Sequence, residues 1–176
     1  MSVIRKGAAA DIPQIAAIYD RIHTREEAGQ SAVGWVRDIY PTRATAQAAL
    51  DAGELFVLEH GGAVAAAARI NQIQVPEYAN ARWQHPQAPA EQVMVLHTLV
   101  VDPLQGGRGL GTAFVRFYEE YAREKGCPYL RMDTNEKNRS ARALYARLSY
   151  QEAGIVDCCF NGIAGVKLVC LEKTLA

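Results

Sequence analysis

The stretch LQGGRGLGTAF, residues 104–114, puts Gly106, Gly107, Gly109 and Gly111 within six residues, directly ahead of a run that reads as helix. Ordering a glycine costs more backbone entropy than ordering any other residue, so such a cluster implies a backbone that something must approach closely. The first turn of a helix leaves N–H groups without partners and carries partial positive charge. Phosphate suits that geometry best, and Arg108 and Thr112 add side-chain donors. A cradle for a pyrophosphate is therefore the chemistry this stretch offers. Two further residues carry chemistry with an ordinary packing role beside it. Tyr145 lies on the apolar stripe of NRSARALYARLSY, where a buried aromatic with its hydroxyl bonded to backbone is the plain reading. His97 is the one histidine in the strand-like run QVMVLHTLVV. It shares parity with Val95 and Leu99, so a hydrogen-bonded core histidine weighs equally against a general base. Surface roles suffice for His23, His60 and His85.

Three phosphate loops compete for the glycine stretch. A P-loop needs Gly-Lys followed by Ser or Thr, which is missing. The dinucleotide fingerprint fits GGRGLG only loosely, because Arg108 occupies its third position; Asp133 meets its distant acidic requirement, but the glycine pattern fails. The third loop is taken up below, after the elements that must position it.

VIRKG reads as a first strand. Asp11 follows as an N-cap, with Pro13 tolerated in the first turn of a helix that buries Ile12, Ile15, Ile18, Tyr19 and Ile22. A second helix is capped by Thr42 and closed by Gly53. Strands 54–60 and 63–70 form a hairpin about Gly61-Gly62, although the alanines of the second strand favour helix on propensity. Residues 73–91 read as a long loop with no clear period. The run 92–101 is apolar on both parities, with Val93, Val95, Leu99 and Val101 on one side and Met94, Leu96 and Val100 on the other, as a strand covered on both faces would be. A helix to about Lys125, a strand PYLRMDT, the helix around Tyr145 and strands at about 151–159 and 165–174 complete the chain. This order describes one α/β domain over residues 1–176, with a mixed central sheet and one parallel crossover.

Composition narrows the function. Nineteen Lys and Arg balance nineteen Asp and Glu, which argues against a protein held by nucleic-acid phosphates or anionic lipid. No apolar run reaches the roughly 20 residues that span a bilayer. The start MSVIRKGAAADIP lacks the apolar core of a signal peptide, so a cytoplasmic protein is expected. Cys127, Cys158, Cys159 and Cys170 form no CxxC pair, so no metal and no disulfide framework is expected, and buried inert thiols are the plain reading.

VDPLQGGRGLG, from Val101 to Gly111, resembles the phosphate loop of the GNAT superfamily of acyl-CoA-dependent N-acetyltransferases. Gly106 stands where arginine or glutamine is usual there, with Gln105 one place early. NRSARALYARLSY is similar to a second motif of that family through Asn138, Ala141, Leu144, Tyr145 and Leu148, with Ser149-Tyr150 in place of Gly-Phe. The order of elements is also similar, over nearly the whole chain.

The resemblance implies a GNAT-like sheet of about seven strands, flanked by helices, in which 93–101 and 129–134 splay apart to form an acyl-CoA cleft. It assigns acetyl-CoA to Leu99, Val100 and Val101, to Gly106, Gly107, Arg108, Gly109, Leu110, Gly111 and Thr112, and to Asn138 and Tyr145. Acetyl would pass by direct attack to an amine of a small molecule or peptide, with Tyr145 protonating the departing thiolate and His97 as base. Asn138 serves either as a helix cap or as a pantetheine ligand. The acceptor pocket is expected from loops 29–41 and 73–91, walled by Trp35, Tyr40, Tyr78 and Trp83. Arg131 and Asp133 share a strand face and are expected to pair. A homodimer is compatible with the family, and a non-catalytic acyl-CoA binding module is the alternative from another functional class.

Overall fold

A computed structural model describes all residues, 1–176. Seven strands form one sheet: β1 Ser2–Lys6, β2 Leu55–His60, β3 Ala63–Asn71, β4 Val93–Val101, β5 Tyr129–Asn135, β6 Gln151–Phe160 and β7 Ile163–Thr174. Their order across the sheet is β1-β2-β3-β4-β5-β7-β6, and only β4 and β5 run parallel. The helices are α1 Ile12–Glu27, α2 Arg43–Asp51, α3 Leu110–Glu124 and α4 Arg139–Arg147.

The helical spacing of Ile12, Ile15, Ile18, Tyr19 and Ile22 buries one face of α1, with α2, against Val57, Ala67 and Val100. Ile15 and Ile18 are wholly buried, each a contribution of about 1.5–3 kcal/mol relative to exposure. On the opposite face α3 and α4 cover Phe56, Ala66, Met94, Leu96, Leu130 and Met132. The alanine run of β3 is strand despite its helical propensity. Pairing with β2 and β4 on both edges overrides a weak local preference.

Several local expectations are corrected. Asp11 precedes α1 but does not cap it with its side chain; its carboxylate accepts from the Ala8 amide and receives the Arg5 guanidinium at 2.8 and 3.0 Å. His23 is buried rather than superficial, with Nε2 2.9 Å from the Pro41 carbonyl. Residues 73–91 contain a 3₁₀ turn, Pro76–Asn80, and lead into a second at Ala90–Gln92. Of the thiols, Cys127 and Cys170 are buried, Cys158 is half-buried and Cys159 is exposed. Arg131 does not pair with Asp133. Its guanidinium lies 4.3 Å over the Trp83 ring and donates to the Gln74 side chain and the His85 carbonyl.

One irregularity positions everything that follows. In the β3–β4 ladder Ala67 pairs with Val100 and Arg69 with His97, so β4 holds one residue more than β3 between those rungs. Thr98 there has φ +52°, a conformation that a β-branched residue adopts at a cost. A bulge of this kind bends its strand and inverts the alternation beyond it. Leu99 and Val101 accordingly pack with the α3–α4 core and Val100 with the α1–α2 core, the reverse of the parity expected from the sequence. The β4–β5 ladder stops at Leu96–Met132, and past that rung the two strands have no shared hydrogen bonds.

Candidate active site

The gap beyond Leu96 and Met132 opens into a cleft of about 960 Å³. One end is the glycine loop. Gly107 and Gly109 have φ of +76° and +72°, and a Cβ on either would meet no other atom, so conformation rather than crowding calls for glycine. Gly111 differs, since a Cβ there would come within 3.3 Å of Leu144, and its smallness lets α3 lie against α4. Leu104 N–H is satisfied by Asp102 Oδ1 and Gln105 N–H by the Asp102 carbonyl, whereas no amide from Gly106 to Thr112 has an acceptor within the protein. Asp102 is itself held by Arg21 through two hydrogen bonds of 2.9 and 2.8 Å, which fixes the entry to the loop. Orphan donors at a helix N-terminus form an anion site, and the residues from Gly107 to Thr112 line the cleft whereas Gly106 does not. Arg108, Lys137, Arg139 and Arg147 bring positive charge to the same cleft. The residues present therefore fit a pyrophosphate-bearing cofactor.

The middle of the cleft is lined by Leu99, Val100 and Val101 from β4, by Thr134 of β5 and by Tyr145 of α4. Leu110 and Thr112 line it from the first turn of α3. Asn138 Oδ1 accepts from the Ala141 amide at 3.1 Å, so this residue caps α4, and it also lines the cleft. Tyr145 is 6 % exposed, packs edge-on against Tyr150 and makes no side-chain hydrogen bond with the protein. Burial raises its pKa above the ordinary 10.0, and the charge of Asp133 adds to that shift, so the phenol keeps its proton at neutral pH. The ring is buried, but the hydroxyl has no protein partner and stays accessible from the cleft, where it is free to meet a ligand atom.

At the far end the expected acceptor residues separate into two groups. Trp35 and Tyr40 line the cleft, with their rings 5.9 Å apart edge to face, and the Tyr40 hydroxyl bonds Thr98 Oγ1 at the bulge. Gly34 in the same loop has φ +76° and lies so close to Asn135 that a Cβ would come within 2.2 Å of its amide nitrogen. Tyr78 and Trp83 do not line the cleft. They pack together in the apolar cluster beneath β6 and β7, where Trp83 Nε1 donates to the Tyr78 carbonyl at 2.9 Å. The tip of the β6–β7 hairpin supplies the opposite wall instead, through Phe160, Asn161 and Ile163. The Asn-Gly pair at 161–162, a strong turn signal between strands, was the available sequence clue to that tip.

His97 lies outside this cleft. It borders a smaller cavity of about 260 Å³ behind the Tyr40–Thr98 contact, and its Nε2 donates to Asn71 Oδ1 at 2.7 Å. Asn71 in turn donates to Glu54 at 2.9 Å. Burial first, and the nearby Arg69 second, lower the imidazole pKa from 6.5 to about 4, so it is neutral at physiological pH. Asp133 is the carboxylate in the cleft that the sequence reading left without a catalytic role. It stands two residues before the end of β5, and Tyr78 Oη donates to its Oδ2 at 2.7 Å. Burial pushes its pKa from 3.8 to about 6, against the opposing effect of that hydrogen bond.

The chain matches the model of the acetyltransferase (GNAT) family over residues 15–150. It is similar to uncharacterized N-acetyltransferases of Methanocaldococcus jannaschii (34 % identity over 65 residues) and Bacillus subtilis (32 % over 72 residues). Those alignments cover 37 % and 40 % of this chain, and 29 % and 48 % of the relatives. In fold it is similar to a GNAT-family acetyltransferase of Streptococcus agalactiae, with TM-score 0.84, 23 % identity and 99 % and 96 % of the two chains covered. A Salmonella typhimurium protein solved with its cofactor acetyl-CoA superposes with TM-score 0.70 at 17 % identity, covering 100 % and 95 %. The split between parallel β4 and β5, the unpaired amides before α3 and the matched span together show that the chain belongs to the acetyltransferase (GNAT) family.

Proposed function

We propose that the protein transfers an acetyl group from acetyl-CoA to the nitrogen of an amine-bearing acceptor. The observation that carries this reading is the continuity of the cleft, which runs from the unpaired amides at Gly107–Thr112, past the unpartnered Tyr145 hydroxyl, to a wall of aromatic residues. The amides of the loop, with Arg108, would hold the pyrophosphate, and Leu99, Val100 and Val101 would lie beside the pantetheine arm in the gap. Acetyl-CoA supplies the thioester. As the acceptor nitrogen bonds to its carbonyl carbon, charge builds on the carbonyl oxygen and then on sulfur as the carbon–sulfur bond breaks. The Tyr145 hydroxyl is the donor assigned to that sulfur. Asn138 orients the start of α4 and so the placement of Tyr145.

A free-thiol assay with acetyl-CoA and a panel of amines tests the proposal, alongside calorimetry of acetyl-CoA binding. Amine-dependent release of thiol supports it. Tight binding without turnover of any amine returns the chain to the non-catalytic acyl-CoA module, and absence of binding rejects both.

A further inference from the structure

We propose that Asp133 receives the acceptor's amine and takes its proton, and that the acceptor is a small molecule with a single amine rather than a polycation. The proposal rests on the acetyltransferase reading above. Its first ground is position. Asp133 is on β5 just past the last β4–β5 rung, on the sheet face that also carries Tyr40, while Tyr145 approaches from α4 on the other side of the split. The gap thus separates a proton acceptor from a proton donor, with room between them for a thioester. Its second ground is solitude. Asp133 is the one carboxylate lining a cleft that also exposes Arg25, Arg108, Lys137, Arg139 and Arg147. A polyamine or aminoglycoside would bring further charges with no carboxylate in the cleft to meet them. A single ammonium is matched by Asp133, and Trp35, Tyr40, Phe160 and Ile163 offer its remainder apolar surface.

The step balances without another reactant. The ammonium gives one proton to Asp133, and the freed lone pair forms the nitrogen–carbon bond at the acetyl carbonyl. The carbon–sulfur bond breaks, its electron pair goes to sulfur, sulfur takes a proton from Tyr145, and the second proton leaves the new amide nitrogen to restore the Tyr145 phenol. The surroundings favour the first transfer. Burial raises the carboxyl pKa and lowers that of an ammonium bound in the same place, so the gap between them narrows. The titratable groups facing Asp133 are Glu77 and Tyr78 from the 3₁₀ turn, Tyr40, Tyr145, and Cys158 and Cys170 of β6 and β7. Glu77 pushes its pKa up and the Tyr78 hydroxyl holds it down.

Steady-state kinetics of wild type, Asp133→Asn and Tyr78→Phe test this with 2-phenylethylamine, phenylalanine, spermidine and kanamycin as acceptors. Calorimetry of acetyl-CoA binding is measured on each protein. The expected wild-type kcat/KM rises through an apparent pKa near 6 and favours the monoamines at least tenfold over spermidine and kanamycin. Asp133→Asn loses about 10²-fold or more in kcat/KM and the limb near 6, while binding acetyl-CoA as wild type does. Tyr78→Phe moves the limb to higher pH, which a purely structural role would not do. Preference for spermidine or kanamycin overturns the acceptor class, as does acetyl-CoA binding with no turnover of either monoamine. An Asp133→Asn variant with unaltered rate and limb overturns the base. Failure of wild type to bind acetyl-CoA instead removes the underlying acetyltransferase reading.

Discussion

Replacing Asp133 by asparagine is expected to make the protein more stable at neutral pH even as it removes activity. The folded carboxyl titrates near 6 and an ordinary one at 3.8. The folded state therefore binds the proton more tightly, and stability falls as pH rises from about 4 through 6. A shift of roughly two units corresponds to about 3 kcal/mol once the group is ionised. Asparagine carries no charge at any of these pH values, and its side-chain oxygen still accepts from Tyr78, so the variant avoids this loss. For a chain of this length about 3 kcal/mol moves Tm by roughly 6–12 °C, and contact with water in the cleft places the result toward the lower end. Thermal melts of both proteins at pH 4, 6 and 8 check the claim. The expected difference is near zero at pH 4 and grows to several degrees at pH 8, with the variant higher. A difference that does not change with pH, or a variant that melts lower at pH 8, refutes the reasoning. Gain of stability on loss of a site residue is the mark of a group kept in an unfavourable place for its chemistry.

Tyr145→Phe keeps the ring contact with Tyr150 and leaves Tm nearly unchanged, but lowers kcat by roughly 10²-fold with acetyl-CoA affinity intact, as steady-state kinetics and calorimetry will show. Gly109→Val forces a β-branched residue to φ +72° and so reshapes the amide cradle; calorimetry should find most of the coenzyme A affinity lost in a protein whose circular dichroism is preserved. His97→Ala removes a buried hydrogen bond to Asn71 and should cost about 1–3 kcal/mol at pH 8, while the pH profile of kcat/KM keeps its shape. Because the folded imidazole titrates near 4 and an ordinary one at 6.5, wild type loses stability as pH falls between those values; melts of His97→Ala should show that loss reduced.

What could be read from the chain follows the range of the interactions involved. The glycine loop, the helix around Tyr145 and the Gly61-Gly62 hairpin are local, and residues a few positions apart specify them. Parity along β4 went wrong at Thr98 because a bulge is decided by the neighbouring strand, and one inserted residue exchanges the faces of Leu99, Val100 and Val101. Tyr78 and Trp83 looked like pocket walls because aromatic residues in a long loop often are. In the folded chain, Asp133 at 2.7 Å draws the Tyr78 hydroxyl inward, and Trp83 closes over that ring under the Arg131 guanidinium. Asp133 itself was visible as an acid at a strand end. Its isolation among cations became visible only when residues from separate elements met in one cleft.

The unpaired amides from Gly106 to Thr112 carry a consequence for heredity as much as for binding. A site written in main-chain N–H groups is shared by nearly every amino acid, so most substitutions at Arg108, Leu110 or Thr112 leave its donors in place. What selection can act on there is permission for the chain to turn, concentrated at Gly107 and Gly109 with their positive φ. An alanine scan of this loop should therefore record shape more than chemistry: the two residues with no side chain to remove become its most sensitive positions, Thr112 tolerates exchange, and the buried Leu110 and the cationic Arg108 are held by packing and by charge.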